Sequence, residues 1–143
     1  MSGNRVTELV ETLRQWQRIE RQSISDTAEI IEESKNPFIR LIMEIIRHDS
    51  LMHHRVQQFL IDTVTVEDVS LTREEVAEIW EKIEAHDRVE KKTIELAEGL
   101  KDKAWNPIHK QLLSYLIQDE KKHDGLLEQL NEVKAGMTRS SGA

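Results

Sequence analysis

Cysteine is absent from the 143 residues of this chain. That excludes disulfide staples, thiolate metal sites, rubredoxin-type iron and cysteine nucleophiles. Helix breakers are scarce too, with 5 glycines and 2 prolines. Few breakers beside abundant Glu, Lys, Leu and Ile predict an all-α protein. Aromatics make up 4% and no long apolar run exists, so neither a membrane span nor an apolar signal core after Met1 is expected. A cytoplasmic setting is the default expectation. The formal charge of −7 speaks against a nucleic-acid footprint, which needs clustered Lys and Arg.

What the chain does contain is a repeat at an offset of 70 residues (88 − 18 = 70). Arg18-Ile19-Glu20-Arg21-Gln22-Ser23-Ile24 returns as Arg88-Val89-Glu90-Lys91-Lys92-Thr93-Ile94. Asn36-Pro37 returns as Asn106-Pro107, Asp49 as Asp119, and His53 as His123. Each half therefore carries one Glu on one segment and an Asp…His pair on the next. A packing repeat would preserve apolar residues and has no need of acids and imidazoles, so the pattern points to a metal.

The organisation predicted is four long helices in two hairpins. Helix one is expected from about Asn4 to Ser34, with Asn36-Pro37 opening helix two as cap and first turn. Ile61 to Leu71, rich in Val and Thr, reads as an extended connection of about 11 residues with a reach of about 35 Å. Thr72-Arg73-Glu74-Glu75 reads as a capping box opening helix three. Asn106-Pro107 opens helix four, which Ala135-Gly136 should end. The domain expected is 1–136, followed by a flexible tail at 137–143. Short links within each pair make the two helices antiparallel, and the long link between helices two and three is a bundle crossover.

Apolar periodicity assigns inner seams: 6, 10, 13, 17, 20, 24, 27 and 31 in helix one; 39, 42, 46, 49, 53, 56 and 60 in helix two. For helix three they are 76, 79, 83, 86, 90, 94 and 97, and for helix four 109, 112, 116, 119, 123, 126, 130 and 133. These seams bring Glu20, Asp49, His53, Glu90, Asp119 and His123 inward at mid-length, with Glu120 just beside its line. Uncompensated carboxylates there would cost several kcal/mol each, roughly. They protonate, pair with one another and with His, or take a cation. Carboxylate and imidazole donors suit Fe, Mn or Zn.

Glu20, Glu90 and Glu120-Lys121-Lys122-His123 match the ligand pattern of di-iron and di-manganese bundles, a Glu from each of two helices and Glu-x-x-His from the others. Over residues 5 to 133 the chain resembles ferritin-like proteins of the rubrerythrin and bacterioferritin kind. Asp119-Glu120-Lys121-Lys122-His123-Asp124-Gly125-Leu126-Leu127 is similar to that family's last-helix signature. The resemblance implies a ferritin-like antiparallel four-helix bundle. In it Glu120 bridges two metals, His123 and Glu90 are terminal ligands of one, and Glu20 and His53 of the other. Asp49 and Asp119 orient the ligating imidazoles. It also implies iron, as two ions or as one if the site is asymmetric, with Mn or Zn as alternatives. The chemistry implied is redox with O2 or peroxide, of the ferroxidase or peroxidase type. Haem is not carried over, because Leu51 stands at the position of the haem-ligating Met.

One departure is plain: the second bridging Glu is replaced by Ser50. Two function classes follow, a redox metal protein and a non-catalytic helical interaction protein with a degenerate site. A homodimer through exposed apolar residues fits either. Glu20 and Glu90 as partners of basic side chains, and His53 and His123 as hydrogen-bonded core residues, are the structural alternative. His86, one turn before Glu90, is read as an extra ligand or as lining near the bundle's upper layers. His48, His54 and His109 are assigned to solvent or subunit contacts, and Trp16, Trp80 and Trp105 to core or interface anchoring.

Overall fold

In a computed structural model the backbone is described for residues 3–66, 69 and 71–142, and side chains as far as residue 136. The chain is all-α. Four helices follow one another, α1 (Gly3–Glu33), α2 (Pro37–Thr65), α3 (Arg73–Lys103) and α4 (Pro107–Gly142), and there is no strand among the described residues. No helix is long and apolar enough to cross a membrane among the described residues. The helices form two compact units, residues 1–70 and 71–143, each a hairpin of two helices.

The repeat is visible in the helix bounds. α1 and α3 begin at Gly3 and Arg73 and end at Glu33 and Lys103, both pairs offset by 70. The same chemistry starts α2 and α4. The Asn36 side-chain oxygen accepts from the N–H groups of Phe38 and Ile39 at 2.9 and 3.1 Å, and that of Asn106 accepts from Ile108 at 2.9 Å. Each Asn satisfies helix N–H groups that have no carbonyl partner, and the following Pro lacks one to satisfy. The capping box forms: Thr72 Oγ1 accepts from Glu75 N–H, and the Glu75 carboxylate accepts from Thr72 N–H.

In the first hairpin, cross-helix pairs join Arg14 to Gln58, Gln17 to His54, Glu20 to His53 and Ser23 to Ser50. One number falls as the other rises, as a chain folding back on itself requires. Leu13, Gln17, Glu20 and Thr27 are the buried face of α1, on the expected seam. Gln17, only 1% exposed, donates to the His54 carbonyl and to Gln58, and accepts from Arg14.

The seams of α2 and α4 differ from expectation by one residue. In α2 the buried positions are Ser50, Gln57 and Ile61, whereas Ile39, Ile46, Val56 and Leu60 are exposed. In α4 Ile117 is buried, whereas Leu116, Leu126 and Val133 are exposed. A one-residue step turns a helix by about 100°. The apolar stripe is broad, and the hairpin partner covers only one of its edges.

Ile61–Thr65 corrects the expected connection, because these residues continue α2. Val and Thr suggest extended chain by propensity, but burial prevails: Ile61 is 1% exposed. The Thr63 and Thr65 hydroxyls donate back to the carbonyls of Leu60 and Ile61 at 2.7 and 2.8 Å, keeping both inside the helix. The connection is therefore residues 66–72, seven in all. Fully extended, seven residues reach about 24 Å, against about 43 Å for the 29 residues of α2. The expected crossover path falls on Glu67, Asp68 and Ser70, which lie outside the described residues. α4 runs through Ala135-Gly136 to Gly142 rather than ending there. The side chains of 137–143, where a free tail was expected, lie outside the description.

In the second hairpin Val76, Trp80 and Glu90 are buried on α3. Trp80 donates to Glu84 at 2.7 Å and lies 4.4 Å below the Lys134 ammonium. Trp16 and Trp105 are exposed, Trp105 at 85%, so neither is a core anchor within its hairpin. Gly99 and Gly125 fall within α3 and α4 with open space where a Cβ would stand.

Candidate metal centre

Glu90 on α3 and Glu120 and His123 on α4 come together in the second hairpin. Each offers a ligand atom, and these atoms lie within 4.8 Å of one another. His123 Nδ1 is 3.6 Å from Glu90 Oε1 and 3.9 Å from Glu120 Oε2. Donors about 2.0–2.2 Å from one ion stand about 3.0–3.4 Å apart, so atoms spread within 4.8 Å would have to draw together, by as much as about 1.5 Å, to close on a cation. The other imidazole nitrogen, Nε2, is 3.5 Å from Asp119 Oδ2, and Lys122 is 3.2 Å from the same carboxylate. One ring nitrogen thus faces the two Glu side chains and the other faces an acid, the arrangement in which a carboxylate fixes a ligating imidazole.

Glu90 is 7% exposed, and its Oε2 is buried without a hydrogen-bond partner. Leaving a buried charged oxygen unpaired costs about 1–3 kcal/mol or more. Its Oε1 is held by His86 Nε2 at 2.7 Å. A buried carboxylate with one oxygen lacking a donor, grouped with a second carboxylate and an imidazole, fits a cation in charge and in donor chemistry.

The first hairpin carries a thinner version. Glu20, also 7% exposed, faces His53, whose Nδ1 is 3.2 Å from Glu20 Oε2. That oxygen makes no bond of hydrogen-bond geometry; the pair is in contact but poorly aligned. The third position is Ser50, buried, with its Oγ 2.9 Å from Ser23 Oγ. Asp49 is exposed, and the described contacts do not join it to His53. Of the expected residues, Glu90, Glu120, His123 and Asp119 are neighbours in one hairpin and Glu20 and His53 in the other, while Asp49 stands apart.

Sequence reasoning did not find a carboxyl pair beside the triad. Asp124 is hydrogen bonded to Asp87, which holds Asp87 below the ordinary Asp range, and Lys91, 3.1 Å away, acts the same way. The same bond, with burial and the Asp87 charge, pushes Asp124 up. Hydrogen bonding to Asp87 raises Lys91. Oδ1 of each Asp is buried without a hydrogen-bond partner. Asp87 also lines a cavity of about 270 Å³ with Trp80, Lys91 and Glu128. The signal was the shifted seam: 83, 87 and 90 on α3 and 117, 120 and 124 on α4.

Comparison with protein-family models, with curated proteins and with solved structures finds no match.

Proposed function

We propose that this chain is a metal protein of the ferritin-like kind, whose carboxylate and imidazole side chains hold iron for redox work, either oxidation of Fe(II) by O2 or peroxide, or reduction of peroxide. The observation that carries this reading is the meeting of Glu90, Glu120 and His123, with one oxygen of the buried Glu90 carboxylate left without a hydrogen-bond partner. Iron bound there would supply one-electron transfer to oxygen or peroxide. The protein's own residues bind and orient. Glu90 brings negative charge from a buried position, Glu120 adds the second carboxylate, and Asp119 presents the His123 ring with Nδ1 towards them.

In the two-ion form of this reading Glu20 and His53 would hold a second ion, with Ser50 offering no carboxylate to share it. That form requires the exposed stripes Ile39, Ile46, Val56 and Leu60, and Leu116, Leu126 and Val133, to be covered in a closed four-helix bundle. A crossover along such a bundle would begin from unwound last turns of α2, because seven residues span less than that helix does.

The test is metal analysis of protein from iron-supplemented cells beside a Glu120→Ala variant. Wild type retains iron and consumes O2 when given Fe(II); the variant retains none. Metal-stripped protein that regains neither ion nor thermal stability would overturn the reading. That result would favour a non-catalytic helical interaction protein, for which the Ser23–Ser50 bond in the place of a ligand is the supporting observation.

A further inference from the structure

The two hairpins began alike, and comparing them position by position shows where ligands have gathered. At the Glu20/Glu90 position both keep a buried carboxylate. At Ser50/Glu120 the first hairpin has a hydroxyl committed to Ser23, while the second has a carboxylate within reach of His123. At Asp49/Asp119 the first acid is exposed, while the second lies against the imidazole. At Trp16/His86 the first offers an exposed indole, whose N–H can only donate, while the second offers an imidazole 2.7 Å from Glu90. Each change completes the second hairpin and leaves the first with two donors.

We propose that the second hairpin holds one divalent first-row ion by itself, through Glu90, Glu120 and His123, with His86 orienting Glu90 and with no part taken by Glu20 or His53. This rests on the reading of the chain as a metal protein and fixes which half owns the ion. Glu90 is more than nine-tenths buried; its Oε1 stands 3.6 Å from the His123 imidazole, and its other oxygen, Oε2, is left without a hydrogen-bond partner. His86 is a positioning residue: by donating to Oε1 it stops the carboxylate from rotating. Three protein donors leave room for water in a fourth position, as in open metal sites.

The experiment titrates the metal-stripped full chain with Co(II), read by visible absorption, with Zn(II) competition for affinity and circular dichroism to confirm folding. Wild type reaches its endpoint at one ion per chain. The double variant Glu20→Gln/His53→Gln keeps that endpoint and an affinity within about threefold. Glu120→Gln abolishes the tight phase. His86→Ala weakens binding by about 10–100-fold, the usual effect of losing a group that orients a ligand, and shifts the Co(II) bands. His86→Gln, which keeps an N–H donor, recovers much of both. Loss of the ion in the Glu20/His53 double variant as complete as in Glu120→Gln overturns the inference while leaving the metal-protein reading intact. Absence of Co(II) and Zn(II) binding in wild type overturns both. An His86→Ala variant with unchanged affinity and spectrum removes His86 from the site.

Discussion

Ser50→Glu returns a carboxylate to the position where the first hairpin lacks one, and its effect divides into two parts of opposite sign. Without metal the change is harmful. Ser50 is buried, with its hydroxyl 2.9 Å from that of Ser23. Glu adds three heavy atoms there, an overpacking cost of about 1–3 kcal/mol, and breaks a hydrogen bond worth about 1 kcal/mol. A combined loss of about 3 kcal/mol lowers the melting temperature of a chain of this size by about 10 °C. With metal the new carboxylate joins Glu20 and His53, and an ion at one hundred times its Kd returns about 2.7 kcal/mol. Melting of metal-free and Zn(II)-loaded protein, with elemental analysis, reads both parts. The expected result is a marked loss when stripped, near recovery when loaded, and a rise from one ion per chain to two. A metal-free variant as stable as wild type would refute the packing argument. A count that stays at one would refute the idea that Ser50 is what the first half lacks.

Two further outcomes follow from the hairpins themselves. Ile61→Ala removes the most buried apolar side chain at the end of α2 and should cost about 2–5 kcal/mol in urea unfolding; a loss under about 1 kcal/mol would mean that burial does not hold these last turns. Asp124→Asn, in metal-free protein, should raise the melting temperature at neutral pH. Asp124 is pushed up on folding, so the stability from its protonated form is full below the ordinary Asp range and fades as pH climbs through its raised value. Asn donates to Asp87 without needing a carboxyl proton, so the advantage should vanish on acidification below about pH 3.9; an equal difference at every pH would count against the raised titration of Asp124. Asp87 has the opposite sign, because its value is lowered: its contribution stands above the ordinary range and is lost as acid titrates it.

The parts of the fold written in local chemistry were legible. Asn-Pro starts, the Thr72–Glu75 box and the 70-residue offset place the helix starts within a residue or two, since caps act on N–H groups a few residues away. Glu20 and Glu90 were found on the buried face because the seam of α1, and positions 76 and 90 of the seam of α3, follow residues buried within a hairpin, although on α3 Trp80 rather than Ile79 is buried. The inner edges of α2 and α4 were missed. There the hairpin contact uses Ser50, His54, Gln57, Glu120 and Asp124, polar residues that an apolar pattern passes over, and the Asp87–Asp124 pair was missed with them. The last turns of α2 were misread because propensity is a weak guide beside the burial of Ile61.

Gly99 falls in the last turns of α3, and Gly125 and Gly136 lie inside α4, whereas the helices of the first hairpin contain glycine only at Gly3, the opening residue of α1. Each interior glycine weakens its helix by about 1 kcal/mol relative to alanine, a handicap of about 3 kcal/mol borne by one half alone. That deficit is close to what a well-occupied cation site gives back. The half of the chain richest in ligands is therefore also the half whose backbone would loosen first when the ion departs, and hydrogen exchange should open there before it opens in the other.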